Sequence, residues 1–455
     1  MAAKRSASAG DRPAAVSGVQ FDHLMAALGP FEPQPHVAAG VSGGPDSLAL
    51  AFLLQDWLRS RGGRLTTFTV DHALRSGSAA EAAWVGRLMK GQGIAHHSLR
   101  WRGPKPSASP QAAARAARYD LLLKACETRG IFHLALAHHL EDQAETFLLR
   151  LGRGSGLNGL SAMAPIGETA GLRLLRPLLT LPKASLMETL RQRDLEWIED
   201  PSNQDQAFAR VRLRRLWPEL ANEGMTAARL GSAAQNLGRA RAAIEADVAA
   251  VLARAARPHP AGFVELDPEV LRRESPEISL RALARCLMAV GGAGYTPRLE
   301  PLERLHAQLQ GGLAKGVTLG GCRILPRGGG WLIVREAGRT ASASLEPGGR
   351  LLWDGRFEVS LARGRLPADE DLTVGSLGSE GWRSLVAALE EGKAGDRAAQ
   401  IPAPARGGLP ALRDRQGLVA VPPLGYFRDS RAAKRLKVCR FAPTNGLTGP
   451  AFTVV

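Results

Sequence analysis

From about residue 36 the chain alternates short apolar runs with longer stretches whose apolar residues recur at helical spacing. Val37–Val41 reads as a strand and Leu48–Ser60 as a helix, ended by Gly62-Gly63. Leu65–Val70 follows as a second strand running into Asp71-His72, and Ser78 with Glu81 three residues on opens a helix in a capping-box pattern. Ile94–Trp101 is a third strand, Gln111–Arg129 a long amphipathic helix and Ile131–Ala137 a fourth strand, with a helix from about Glu141 to Leu151. Leu172–Leu175 fits a fifth. Strands alternating with helices of this length predict an α/β fold with a parallel sheet covered on both faces. Ligands of such sheets bind at the carboxyl ends of the strands, so the turns Ser42–Ser47, Asp71–Arg75 and His138–Asp142 are expected to converge.

Past residue 205 the pattern changes. Ala227–Arg257 is built of Ala, Leu, Arg and Glu at helical spacing, and Ser279–Val290 and Pro301–Gln310 continue it. Two short β-like runs within residues 317–336 flank Pro326-Arg327-Gly328-Gly329-Gly330, a hairpin pattern. A Gly/Pro/Ala-rich stretch at Pro402–Gly408 interrupts the last hundred residues. The expected division is a leader and short helix (1–30), a nucleotide-binding catalytic domain (31–205), a mainly helical domain (206–340) and a small, loop-rich C-terminal domain (341–455).

The balance of 59 Lys and Arg against 43 Asp and Glu leaves a formal charge of +16, which points to a polyanionic partner. An Arg-rich genome would produce the same excess. The four cysteines, Cys126, Cys286, Cys322 and Cys439, form no C-x-x-C pair and read as reduced thiols of a cytoplasmic protein. No apolar run reaches the roughly 18 residues of a membrane span, and the basic start Met1–Ser6 lacks an apolar signal region.

Candidate chemistry begins where the first strand breaks into Ser42-Gly43-Gly44-Pro45-Asp46-Ser47 before a helix. Such a turn presents backbone N–H groups and a helix N-terminus to phosphate. Ser42 and Ser47 add hydroxyls, and Asp46 is placed to hold the Mg²⁺ that accompanies a triphosphate. The loop lacks the Lys of G-x-x-x-x-G-K-[ST], which excludes the common P-loop.

After the fourth strand come His138-His139-Leu140-Glu141-Asp142-Gln143-Ala144-Glu145-Thr146, where Asp142 and Glu145 share a helix face. The pair suits an ammonium group, a second Mg²⁺, or stabilisation of the helix dipole. His72 and His138 suit proton transfer or phosphate contact. Arg115 and Arg118 suit nucleotide or RNA phosphates, and Arg153–Ser161 reads as a glycine-rich lid.

The loop resembles the S-G-G-x-D-S motif of the ATP pyrophosphatases. Together with Asp71–Arg75, Ala114–Tyr119, His138–Thr146, Arg153–Met163, Arg176-Pro177-Leu178-Leu179 and Trp197–Asn203, the chain over residues 36–215 resembles the tRNA(Ile)-lysidine synthetases. Leu409–Leu412 and Val419–Pro422 echo that family's C-terminal domain more weakly. The resemblance implies an adenine nucleotide α-hydrolase-like catalytic domain in which ATP adenylates the wobble cytidine of a CAU anticodon and free L-lysine displaces AMP. It further implies ATP at Ser42–Ser47, Asp71 and His72, with Asp46 (also holding Mg²⁺) and His138 catalytic. Lysine then falls to Asp142 and Glu145, and tRNA to Arg115, Arg118, Arg210, Arg212 and Arg214. A homodimer stays open. One departure stands out: Val211 replaces the Asn that the family often carries in this segment.

Three other readings compete. A glutamine-dependent nucleotide synthetase needs an ammonia source and would not carry this basic charge. A tRNA thiolation enzyme needs reactive cysteines beside the site. A silent RNA-binding relative predicts no ATP turnover, although Ser42–Ser47, Asp142 and Glu145 are intact.

Overall fold

Val37 and Ala39 of the first strand face one core, while Ala38 faces another. This period-2 alternation of small apolar residues lets helices cover both sides of the sheet. The computed structural model describes residues 13–73, 77–103, 110–169, 171–199, 209–336, 338, 340–363, 371–389 and 395–449. The start 1–12, Leu74, Arg75 and the end of the Trp197–Asn203 motif lie outside the described residues. The chain divides into two compact units, one reaching residue 243 and one spanning 244–449.

The first unit runs α1 (Gly18–Ala26), β1 (His36–Gly40), α2 (Pro45–Arg59), β2 (Arg64–Asp71), α3 (Ser78–Gly91), β3 (Ala95–Arg100), α4 (Pro110–Thr128), β4 (His133–Ala135), α5 (Leu140–Leu151), α6 (Leu157–Leu160), β5 (Ile166–Thr169), β6 (Leu172–Leu175), α7 (Lys183–Arg191), α8 (Ala209–Arg215) and α9 (Trp217–Asn222). The sheet order is β3-β2-β1-β4-β6-β5, parallel except for β5. Gly77 holds the cap position of α3 and Ser78 is its first residue, so the helix starts one residue before the expected capping box. β1 therefore has β2 on one side and β4 on the other, and the connections leaving them diverge.

α2 buries ten consecutive or near-consecutive residues, from Ser47 to Leu54 plus Trp57 and Leu58, because it is covered on most sides. Its apolar surface joins Val37 and Ala39 with Val85 and Met89 of α3 and Leu186 and Leu190 of α7. On the other face Leu122, Ala125 and Cys126 of α4 pack on Ala38, Phe68 and Leu134.

A 29-residue helix, α10 (Ala227–Ala255), begins in the first unit and ends in the second. The second unit holds α12 (Pro276–Gly291) and α13 (Leu299–Gln310), with the short α11 (Pro268–Arg272) before them. A five-stranded sheet contains the hairpin of Cys322–Arg327 on Gly330–Arg335, as the glycine-rich turn predicts. Two further antiparallel sheets, of five and three strands, follow from residue 343 onward. Among the described residues no helix is long and apolar enough to cross a membrane.

Candidate active site

At the end of β1 the chain turns through Gly43, whose φ of +89° is one that L side chains rarely adopt. A Cβ there would lie 2.9 Å from Ile198 Cδ1 and 3.0 Å from Val85 Cγ2, so glycine is required sterically as well. The Gly43 carbonyl accepts the Ile198 N–H at 2.9 Å, which pins the loop to the segment after α7. Gly44 precedes α2 in extended conformation and Pro45 occupies its first turn. Ser47 is turned inward: its Oγ donates to the Gly44 carbonyl at 3.0 Å and accepts the Ser42 N–H at 3.1 Å. The Ser42 and Ser47 hydroxyls lie 3.3 Å apart. Ser47 thus shapes the loop, and the exposed Ser42 is the hydroxyl at its mouth.

At the end of β2, Asp71 is buried and its Oδ1 accepts the Ala73 N–H at 2.8 Å, closing a turn in which Ala73 takes a φ of +49°. His72 Nε2 accepts from Arg118 Nε at 3.4 Å, and its ring stands edge-on to Trp101. Arg115 lies over the Tyr119 ring, 5.3 Å from its centre. Both arginines are exposed.

The carboxyl end of β4 carries the densest charge. His139 is buried, with Nδ1 2.9 Å from Glu141 Oε2 and Nε2 at 3.6 Å from Asp46 Oδ2 and 3.5 Å from Asp142 Oδ2. Burial opposes protonation of this ring, yet Asp46, Glu141 and Asp142 outweigh it and raise its pKa to about 10. His139 is therefore an imidazolium linking the β1 and β4 turns. Its backbone N–H also donates to Asp142 Oδ2 at 3.1 Å, fixing the first turn of α5. His138 behaves oppositely: burial, with Asp142 pulling the other way and Arg176, Arg115 and Arg210 reinforcing it, pushes its pKa down to about 4. Its ring is neutral, and Nδ1 is a buried atom without a hydrogen-bond partner.

Asp142 and Glu145 do share one face of α5, and both are buried. Arginines of α8 already engage them. Arg214 Nε lies 2.6 Å from Glu145 Oε1, while Arg210 places Nη1 3.6 Å from Asp142 Oδ1 and donates from Nη2 to Thr146 Oγ1 at 3.3 Å. Burial raises the Glu145 pKa against the lowering pull of Arg214. Arg212, on the same helix, is exposed.

A family model described as a PP-loop domain matches residues 16–220. The tRNA(Ile)-lysidine synthase of Bradyrhizobium diazoefficiens is 45% identical over 292 residues, covering 62% of this chain and 81% of that protein. The synthase of another Bradyrhizobium strain is 44% identical over 316 residues, covering 67% and 87%. That of Ruegeria pomeroyi is 36% identical over 362 residues, covering 80% and 84%. The chain belongs to the tRNA(Ile)-lysidine synthase family.

In this member of the tRNA(Ile)-lysidine synthase family, sequence reasoning singled out His138 and passed over His139, its neighbour. The two histidines lie past the end of β4, and His139 is the cap residue of α5 whereas His138 is not. It also passed over Lys183, whose Nζ lies 3.8 Å from Asp46 Oδ2, and Glu141, whose Oε2 accepts the Lys183 N–H at 3.0 Å. The glycine-rich segment read as a lid folds around α6. Arg150 Nη1 donates to the Gly159 and Ala162 carbonyls, both at 2.8 Å, and Arg241 Nη1 to the Asn158 carbonyl at 3.2 Å. Gln143 secures its far end, donating to the Met163 carbonyl at 2.9 Å and accepting the Met163 N–H at 2.8 Å.

Proposed function

We propose that this protein is a carbon–nitrogen ligase that adenylates the wobble cytidine of a CAU-anticodon tRNA(Ile) and joins L-lysine to it. One observation carries the reading: Asp46 of the phosphate-holding turn and Asp142 of the carboxylate pair meet around the His139 imidazolium. A nucleotide site and an ammonium site are thereby adjacent, as two-step chemistry needs.

In the first step the cytidine 2-carbonyl oxygen bonds to the α-phosphorus of ATP. The bond from that phosphorus to the bridging oxygen breaks, and pyrophosphate leaves with the electron pair. Backbone N–H groups of the Gly43-Gly44 turn and the Ser42 hydroxyl suit the departing phosphates. In the second step the lysine side-chain amine, having given up its proton to solvent, bonds to C2; the bond from C2 to the adenylate oxygen breaks, and AMP leaves with that oxygen and the electron pair.

Asp142 and Glu145 suit the ammonium form of lysine on arrival. His138, held neutral, offers an acceptor lone pair that orients the amine; a pKa near 4 makes it a weak base. Asp46 Oδ1 is a buried oxygen without a hydrogen-bond partner, which fits a carboxylate ligand for Mg²⁺ completed by phosphates and water. Bound there, Mg²⁺ would supply charge neutralisation on the triphosphate. Asp71 and His72, at the neighbouring strand end, suit the nucleoside side of ATP. For RNA, the exposed Arg115, Arg118 and Arg212 suit direct phosphate contact, whereas Arg210 and Arg214 are partly engaged by the carboxylates. Reactive-thiol chemistry is disfavoured, because burial pushes Cys126 to a pKa of about 12.

The test is incorporation of labelled lysine into CAU-anticodon tRNA(Ile). Label should enter the RNA only with ATP present, with stoichiometric AMP and pyrophosphate. Pyrophosphate release without label transfer would refute the second step.

A further inference from the structure

The phosphate-holding turn carries no cationic side chain among its own residues, since it lacks the lysine that P-loops carry. A pyrophosphate that departs with increasing negative charge needs one nearby. Lys183, 137 positions along the chain, brings its ammonium to 3.8 Å from Asp46 Oδ2. That is ion-pair distance without a hydrogen bond, so the loop holds the cation close without occupying its donors. The side chain is 39% exposed, so Lys183 is only partly enclosed.

The placement is built. Lys183 is the first residue of α7, which follows β6, and its backbone N–H donates to Glu141 Oε2. The same oxygen lies 2.9 Å from His139 Nδ1, and His139 in turn faces Asp46. One carboxylate oxygen therefore registers the start of α7 against the turn of β1. Leu186 and Leu190 anchor α7 in the core beneath.

We propose that Lys183 is a catalytic residue that contacts the pyrophosphate leaving group and supplies the charge that the loop lacks. As the phosphorus–oxygen bond breaks, the ammonium takes up the growing charge on the β-phosphate oxygens; no proton or electron is transferred. The proposal rests on the functional reading above.

The experiment measures the affinities of the full chain and of K183M and K183R for inorganic pyrophosphate and for AMP by calorimetry. It also follows pyrophosphate release with tRNA and lysine present. K183M is expected to weaken pyrophosphate binding at least tenfold with AMP binding within twofold. It should slow turnover on the order of 100-fold, the loss typical of removing one such donor, and K183R should recover at least a tenth of the wild-type rate. Pyrophosphate affinity and turnover within twofold of wild type would overturn the assignment. An equal loss for AMP and pyrophosphate would do so too, because it would mark a structural role. If the wild type releases no pyrophosphate with tRNA and lysine, the functional reading fails, while the binding comparison still decides the role of Lys183.

Discussion

The Glu145–Arg214 pair is asymmetric, and that asymmetry can be measured. The Glu145 side chain is 1% exposed and that of Arg214 is 37% exposed. Removing one member of a fully buried pair typically costs about 3–5 kcal/mol because the survivor stays charged and dry. Here the survivor depends on the substitution. R214M strands the buried carboxylate, with Arg210 still 4.0 Å from Glu145 and water able to enter where the guanidinium was; a cost of about 2 kcal/mol follows. E145Q leaves a guanidinium that can turn to solvent, and about 1 kcal/mol follows. Urea unfolding of wild type, both single variants and the double variant closes a cycle, with a coupling energy of roughly 1–2 kcal/mol expected. The pH dependence gives a second signature. Burial already raises the Glu145 pKa, and losing Arg214 raises it further. The folded R214M protein therefore binds more protons than the unfolded chain between the unfolded and folded pKa values. Stability conferred by that proton is full below the unfolded value and is lost as pH rises through the folded one. The deficit of R214M should narrow as pH is lowered toward the unfolded glutamate value. Equal costs for the two single variants, or a coupling below about 0.5 kcal/mol, would refute the asymmetry.

Three further outcomes are expected. D46N should lower pyrophosphate release on the order of 100-fold or more while tRNA affinity stays within twofold, measured by release assay and filter binding. Affinity for tRNA should fall steeply with salt, and R115A or R212A should each reduce the slope of log K against log salt by about one; a flat response in wild type would contradict phosphate-based binding. G43A should cost about 1–3 kcal/mol in unfolding experiments and abolish nucleotide binding, because the new methyl meets both a positive φ and the Ile198 and Val85 side chains.

The strands that carry the site were legible because they are apolar runs ended by turn residues. β1, β2 and β3 fall within one or two residues of the expected limits. β5 was not legible, since Ile166–Thr169 is four residues long, half-exposed and without an alternating pattern. The loop and the carboxylate face of α5 were readable from spacing, because each is local. What spacing does not report is which distant charge answers which. Arg210 and Arg214 look like solvent-facing arginines on a short basic helix, and only the tertiary fold turns them onto Asp142 and Glu145. Lys183 likewise acquires meaning only through the β1–β4–β6 pairing that brings the start of α7 beside Asp46.

The strand order also decides where this chain has room to change. The turn that enters the edge strand β3, at Gln92-Gly93, lies at the amino end of the strands, and lengthening it adds material that no contact of the Asp46–His139 array must follow. The turns after β1 and β4 have no such slack. Gly43 is fastened to Ile198, Ser42 to Ser47 and His139 to Asp142, so one inserted residue in either turn breaks a bond and displaces a charge. Within a lineage, insertions should therefore accumulate at the periphery of the sheet while the two central turns keep their length to the residue.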